Sequence, residues 1–321
     1  MSNNIEIKIK KLKIFITGGA GFIGSNLVEE LVKNNFITIY DNFSSGKKEF
    51  LKTWLRSKNL KIIKGDLLDF KKLKRAIKGH ELVIHLASNP DIAKGILDPS
   101  IDLKQGILVT FNVINAMRLN NIKKLIYLSG SGVYGDQNEK VIKENFGPLI
   151  PVSMYGASKL SAEALICAFC HLYDMQAWIF RPANIVGKNQ THGVAHDFIK
   201  KLRKNPKKLL ILGDGKQSKS YLHVKDLIRA VLKAFCQTNK KVNIFNVASE
   251  DFLTVNEIAK IVIEEMGLKN VKLKYTGGKV GWKGDVPKVR LDISSIKKIG
   301  WRPKFNSKEA VRQAVRELLC K

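Results

Sequence analysis

The sequence predicts an α/β protein, a Rossmann-type doubly wound parallel sheet with a smaller C-terminal α/β substrate domain. Three observations predict it. Short apolar runs alternate with stretches of helical periodicity, the pattern of successive β-α units. A glycine-rich segment, Gly18 to Gly24, separates the first apolar run from the first helical stretch. An acidic residue, Asp41, stands directly after the second run.

In chain order, Lys13 to Thr17 reads as a buried strand, and Phe22 to Lys33 as a helix with Ile23, Leu27 and Leu31 on one face. Phe36 to Tyr40, Leu60 to Lys64, Leu82 to Leu86, Leu125 to Ser129 and Gln176 to Phe180 supply strands two to six. Helices are expected around 69–78 and 107–119, with a long one from Ser153 to Tyr173. After Arg181-Pro182 the elements shorten and turns multiply. The chain is therefore divided into 1–181, a dinucleotide-binding domain, and 182–321, a smaller substrate-binding domain. Within the second part, 217–250 is expected to return to the main sheet through Asn243 to Val247, and helices are expected near 224–236, 254–266 and 307–319.

Composition narrows the class. With 321 residues, 45% of them hydrophobic, the chain can bury a substantial core. The net charge of +28 comes from lysines spread through every segment, without a tract that interleaves them with aromatics. They read as solvated faces, so no nucleic-acid partner is expected, although a basic surface attracts anionic nucleotide-linked substrates. Four cysteines (Cys167, Cys170, Cys236, Cys320) lack framework spacing and favour a reducing, cytoplasmic compartment. Cys167 and Cys170 fall in an apolar run and read as small buried residues. The first thirteen residues are polar and Lys-rich, unlike an export signal, and no run approaches the ~20 apolar residues of a membrane span. A soluble protein without a membrane partner is expected. His192 and His196 are four apart, but the intervening Gly193 and the lack of a Glu argue against a metal, and His85 reads as a packed strand-end residue. No metal is expected.

The segment Thr17-Gly18-Gly19-Ala20-Gly21-Phe22-Ile23-Gly24 follows a strand and opens a helix. Glycines are needed because a Cβ would hold the backbone away from a pyrophosphate, and the helix N-terminus offers free N–H groups to the phosphates. Asp41 lies where a carboxylate meets the adenosine ribose hydroxyls and repels a 2′-phosphate, which favours NAD; Lys47 and Lys48 nearby keep NADP open. Asp66-Leu67, after strand three, either borders the adenine or is an ordinary strand-end turn. Tyr155 and Lys159 are four apart, hence on one helix face. The ammonium is expected to lower the phenol pKa and make Tyr155 a base near neutral pH, while also reaching the nicotinamide ribose.

Taken together, TGGAGFIG at 17–24, Asp41, HLA at 85–87, VYG at 133–135, YGASK at 155–159 and RPANIVG at 181–187 resemble the extended short-chain dehydrogenase/reductase family. The resemblance is closest to the NAD-dependent nucleotide-sugar epimerases and dehydratases, especially UDP-glucose 4-epimerase-like members. It continues through GDGKQSKSYLHVKD at 213–226 and KGDVPKVRLDISSIKKIGW at 283–301. It implies NAD held by Gly18, Gly21, Phe22, Ile23, Gly24, Asp41, Asn42, Asp66, Leu67, Leu86, Ala87, Tyr155, Lys159 and Pro182. It implies Tyr155 and Lys159 as catalytic residues, with Ser129 or Ser131 supplying the hydroxyl that orients the sugar. Asn184, Lys219 and Asp285, with Ser131, would contact the sugar nucleotide, and the assembly would be a homodimer packed through helices that include 153–173.

The sequence departs from the family in two places. Gly130 stands where relatives carry a serine or threonine, and Gly106 where they carry an asparagine. Ser131-Gly132 also stands where the 4,6-dehydratases carry Asp-Glu, so the acid/base pair for eliminating water is missing. The expected function is NAD-dependent epimerisation of a nucleotide-diphosphate sugar such as a UDP-sugar, at C4 through a transient 4-keto intermediate. A nucleotide-sugar reductase or dehydrogenase with net redox change stays open. So does a catalytically weak NAD-binding sensor.

Overall fold

The computed structural model describes residues 9–320 other than 93, 139, 279, 282 and 283. The first eight residues of the polar, Lys-rich N-terminal stretch lie outside the described residues, as does Lys283, which opens the last motif. Seven strands form one parallel sheet: β1 (Lys13–Thr17), β2 (Phe36–Asp41), β3 (Leu60–Lys64), β4 (Leu82–His85), β5 (Lys124–Leu128), β6 (Gln176–Pro182) and β7 (Val242–Val247). Their spatial order is β7-β6-β5-β4-β1-β2-β3. Expected and observed strands coincide to within two residues at each end, because each is a short apolar run, buried on both faces in the central strands and only partly covered in the edge strand β3.

Side-chain alternation divides the core into two layers. Ile14, Ile16, Leu82 and Ile84 point to one face, under α1 (Phe22–Leu31) and, later in the chain, the helix Val224–Gln237. Phe15 and Val83 point to the other, under α2 (Phe70–Ala76), α3 (Val109–Leu119) and α4 (Met154–Leu172). A third cluster joins α5 (Val194–Lys204) to the helices Val255–Glu265 and Ser307–Leu319.

The sheet positions the site through its topology. From β1 the chain winds outward through β2 and β3, then returns to β4 on the other side of β1. Beyond the carboxyl ends of β1 and β4 the two windings diverge and leave a crevice, the place where ligands bind such sheets. β6 runs through the position at which the sequence texture changes, and β7 closes the sheet beside it. Helix α5 is absent from the sequence expectation, which has shorter elements and more turns after Arg181-Pro182 and names no helix there. Its signal is present, since Ala195, Phe198, Ile199 and Leu202 recur at helical spacing among basic residues and are buried.

Candidate active site

The crevice opens into one cavity of about 720 Å³. Every residue singled out in the sequence as a site residue lines it, from Gly18 on β1's exit loop to Asp285 near the C-terminus.

The glycine turn is sterically closed around its own backbone. Gly18 adopts φ +69°, and a Cβ there would lie 2.8 Å from the Ala87 amide nitrogen. A Cβ on Gly24 would lie 2.3 Å from the Gly18 carbonyl oxygen. Helix α1 starts after Gly21 with no side-chain cap, so its first amide groups are left for the cavity that Gly21, Phe22, Ile23 and Gly24 line. Such a turn fits a pyrophosphate.

Asp41 is buried, accepting from the Ala20 amide at 3.0 Å and the Phe43 amide at 2.8 Å. Burial raises its carboxyl above the usual range, and the two amides oppose that shift. Each carboxylate oxygen keeps a second lone pair for a ribose hydroxyl. Asn42 donates to Asp66 at 3.3 Å, and Leu67 and the Leu86-Ala87 turn complete this wall. Behind it, Thr17 is hydrogen-bonded to His85 at 2.7 Å, and His85 to Thr110 at 3.1 Å. Complete burial pushes the His85 imidazole down to about 3, with Lys159 adding to the shift, so it is a neutral packing residue.

Tyr155 and Lys159 project from the start of α4, whose first turn is capped by Ser153 accepting from the Gly156 amide at 3.1 Å. Lys159 is buried, donates to the Leu128 carbonyl at 2.8 Å, and lies 5.6 Å from the centre of the Tyr155 ring. The expected depression of the phenol pKa is not what this geometry produces. Burial pushes Tyr155 up to about 12, and the negative charge of Asp102 adds to the rise. Burial likewise pushes Lys159 down to about 8, opposed by Glu163 and Asp102. Desolvation of both groups outweighs their proximity, and the ammonium is already engaged by a backbone carbonyl.

The two candidate serines differ. Ser129 donates to Glu163 at 2.5 Å and is buried, so its proton is committed. Ser131 is half-buried on the cavity wall, in the turn Ser131–Tyr134. Gly130 has extended backbone (φ −175°), and a Cβ there would lie 3.9 Å from the Tyr155 hydroxyl. Gly106 has a packing cause: a Cβ there would lie 2.6 Å from the Ser158 hydroxyl, which occupies that space. Asp102, a charge that acts on the Tyr155–Lys159 pair without lining the cavity, was missed by sequence reasoning. It is buried, accepts from Asn89 at 3.0 Å through Oδ1, and its Oδ2 has no partner among the described residues.

Pro182 ends β6, and the following strand Asn184–Val186 pairs with Tyr221–His223, bringing Asn184 to the cavity. Lys219 and Asp285, expected to act separately on the nucleotide, form an ion pair at 2.6 Å. Sixty-six residues apart, they carried no sequence signal of pairing. Helix α5 adds Val194, Asp197, Phe198 and Lys201 to the wall. His192 precedes that helix and His196 lies within it, so the two do not share a helical face. Among the described residues there is no group of three or more metal-ligating side chains, and no helix is long and apolar enough to cross a membrane.

Residues 14–248 match the family described as NAD dependent epimerase/dehydratase. A putative UDP-glucose 4-epimerase of Methanocaldococcus jannaschii is 33% identical over 315 residues, covering 94% of this chain and 97% of that protein. Human dTDP-D-glucose 4,6-dehydratase is 27% identical over 94% of this chain and 89% of its own length. Among solved structures, a UDP-galactose 4-epimerase superposes with a TM-score of 0.86 at 33% identity, over 96% of this chain and 99% of the other.

Proposed function

The chain belongs to the NAD dependent epimerase/dehydratase family and uses NAD, and from that premise we propose that it epimerises a nucleotide-diphosphate sugar, a UDP-sugar, at C4. One observation carries this reading. The glycine cradle, the Tyr155–Lys159 pair and the polar residues Asn184, Lys219 and Asp285 line a single cavity, which can hold a dinucleotide against a second anionic ligand.

When bound, NAD supplies a reversible hydride acceptor and a positive charge. As the phenolate, which the positive charges of Lys159 and of bound NAD would favour against burial, Tyr155 takes the proton of the sugar 4-hydroxyl and returns it after the 4-keto intermediate has presented its other face. Lys159 holds the cofactor ribose and stabilises the charge on Tyr155. Ser131 orients the sugar hydroxyl, because the Ser129 proton is already given to Glu163. Water elimination is disfavoured because Ser131 and Gly132 supply no acid/base pair beside the reacting carbons.

A homodimer is part of the proposal. Phe111 on α3 meets Phe169 on α4, which meets Tyr173, and Phe111, Leu172 and Tyr173 are exposed, giving an apolar surface across two helices. The functional test is incubation with UDP-glucose, UDP-galactose and their N-acetyl forms, followed by NMR at C4. Inversion with NAD retained is the expected result. Retention of NAD without interconversion of any of them overturns the reading, and net turnover of free NAD(P)H in solution identifies a reductase instead.

A further inference from the structure

The buried charges nearest Lys159 include a pair that the reaction as described does not use. Glu163 lies four residues beyond Lys159 on α4, so both face the same way. They grip successive residues at the end of β5: Lys159 donates to the Leu128 carbonyl at 2.8 Å, and Glu163 accepts from the Ser129 hydroxyl at 2.5 Å. From β6, Arg181 donates to Glu163 through Nε at 3.0 and 3.2 Å and through Nη2 at 2.6 Å. The remaining guanidinium nitrogen donates to the Tyr134 hydroxyl at 2.8 Å and the Glu144 carbonyl at 3.1 Å. Tyr134 in turn donates to Asn246 of β7 at 2.7 Å. Both ionic side chains are only 4% exposed.

Such a pair is a poor device for stability alone. Removing two charges from water costs several kcal/mol each, and apolar side chains of similar volume would hold α4 on the sheet as well. Its distinctive effect is on the ammonium next to it. Lys159 is faced by Tyr155 and Glu163 from its own helix, Tyr127 from β5, neutral His85 from β4, and Asp102 from the segment before α3, with Arg181 of β6 behind Glu163. Glu163 makes the larger of the two contributions that keep the ammonium charged. Arg181 fixes where that charge sits.

We propose that Glu163, held by Arg181, is a positioning residue for the Tyr155–Lys159 pair: its grip on Ser129 fixes the β5 end that Lys159 binds, and its carboxylate keeps Lys159 an ammonium in a buried site. The inference rests on the reading of Tyr155 and Lys159 as the proton-handling pair.

The test compares kcat/KM against pH, on UDP-glucose and UDP-galactose, for the wild type, Glu163→Gln and the double variant Glu163→Met/Arg181→Met. Glutamine keeps the shape and the acceptor for Ser129 while removing the charge, so the alkaline limb, set by loss of the Lys159 proton, is expected to move down by about one pH unit. The double variant removes both members of the ion pair and so leaves no guanidinium buried without its carboxylate, and it carries the test if the single variant does not fold; its limb moves in the same direction. A merely structural role lowers the melting temperature and leaves the limb where the wild type has it, and that result overturns the inference. If the wild type inverts none of UDP-glucose, UDP-galactose and their N-acetyl forms, the functional reading fails on its own. The pH dependence of NAD binding in the same three proteins then decides, with the alkaline fall in affinity expected at lower pH in both variants and an unchanged fall overturning the inference.

Discussion

Replacing Gly24 by alanine is expected to disable the cofactor cradle while sparing the rest of the fold. The added Cβ would sit 2.3 Å from the Gly18 carbonyl oxygen and 2.7 Å from the Gly19 Cα, where ordinary contact begins at 3.4 Å. Both obstacles are backbone, so no side chain can swing aside, and α1 must retreat from β1 by about 1 Å. Overpacking of this kind costs about 1–3 kcal/mol. The helix that moves is the one whose first amide groups face the pyrophosphate, so the displacement falls on the ligand contact itself. To the extent that binding NAD requires α1 to return to its wild-type position, that cost falls on affinity, and its full range corresponds to a rise in the NAD dissociation constant of roughly 5- to 150-fold. Isothermal titration with NAD reads it directly, with circular dichroism to establish that the protein is folded. Gly147→Ala is the control, because a Cβ there meets nothing within 4 Å. A folded Gly24→Ala protein that binds NAD as tightly as the wild type would refute the cradle reasoning.

Three further outcomes are expected. Ser131→Ala lowers kcat on the order of 10²-fold, and adding Gly130→Ser, whose extended backbone accepts any residue, restores part of the loss by placing a hydroxyl beside Tyr155; unchanged kcat in Ser131→Ala removes Ser131 from the mechanism. Burial holds Lys159 down at about 8 from 10.5, so between those values the unfolded chain binds more protons and this residue's contribution makes stability rise with pH. Lys159→Met is therefore most stable relative to the wild type below pH 8 and loses that advantage towards pH 10.5, as denaturant midpoints at several pH values will record; a pH-independent difference contradicts the buried-ammonium account. Phe111→Asp places a charge in the exposed apolar surface of α3 and α4 and is expected to halve the mass seen by light scattering, whereas a wild type that is already monomeric refutes the dimer.

Much of the site was readable before any coordinates because its parts are local. A glycine turn between strand and helix, an acid at the next strand end and a Tyr-Lys pair one helical turn apart are each contained in a few consecutive residues, where backbone sterics and helical period decide the outcome. Helix α5 was also legible in principle, but its apolar spacing is diluted by lysines and it follows Gly193, which reads as a turn. What could not be read is everything that depends on distant segments meeting. The Lys219–Asp285 pair joins residues 66 positions apart. Asp102 comes near the Tyr155–Lys159 pair only because the segment before α3 packs on α4, and Arg181 reaches Glu163 only because α4 packs against β6.

By itself, then, the sequence determined the layered α/β fold, the glycine turn between strand and helix, and the placement of Tyr155 and Lys159 on one helix face, since these follow from short-range geometry and periodicity. Tertiary structure alone decided in which direction burial pushes that pair. Proximity of an ammonium to a phenol argued for an activated base, but the folded protein buries both, and desolvation reverses the direction in which Tyr155 shifts. It also decided which serine is free, because only packing brings Glu163 to Ser129. Burial and long-range pairing are properties of the assembled chain, and no window of sequence contains them.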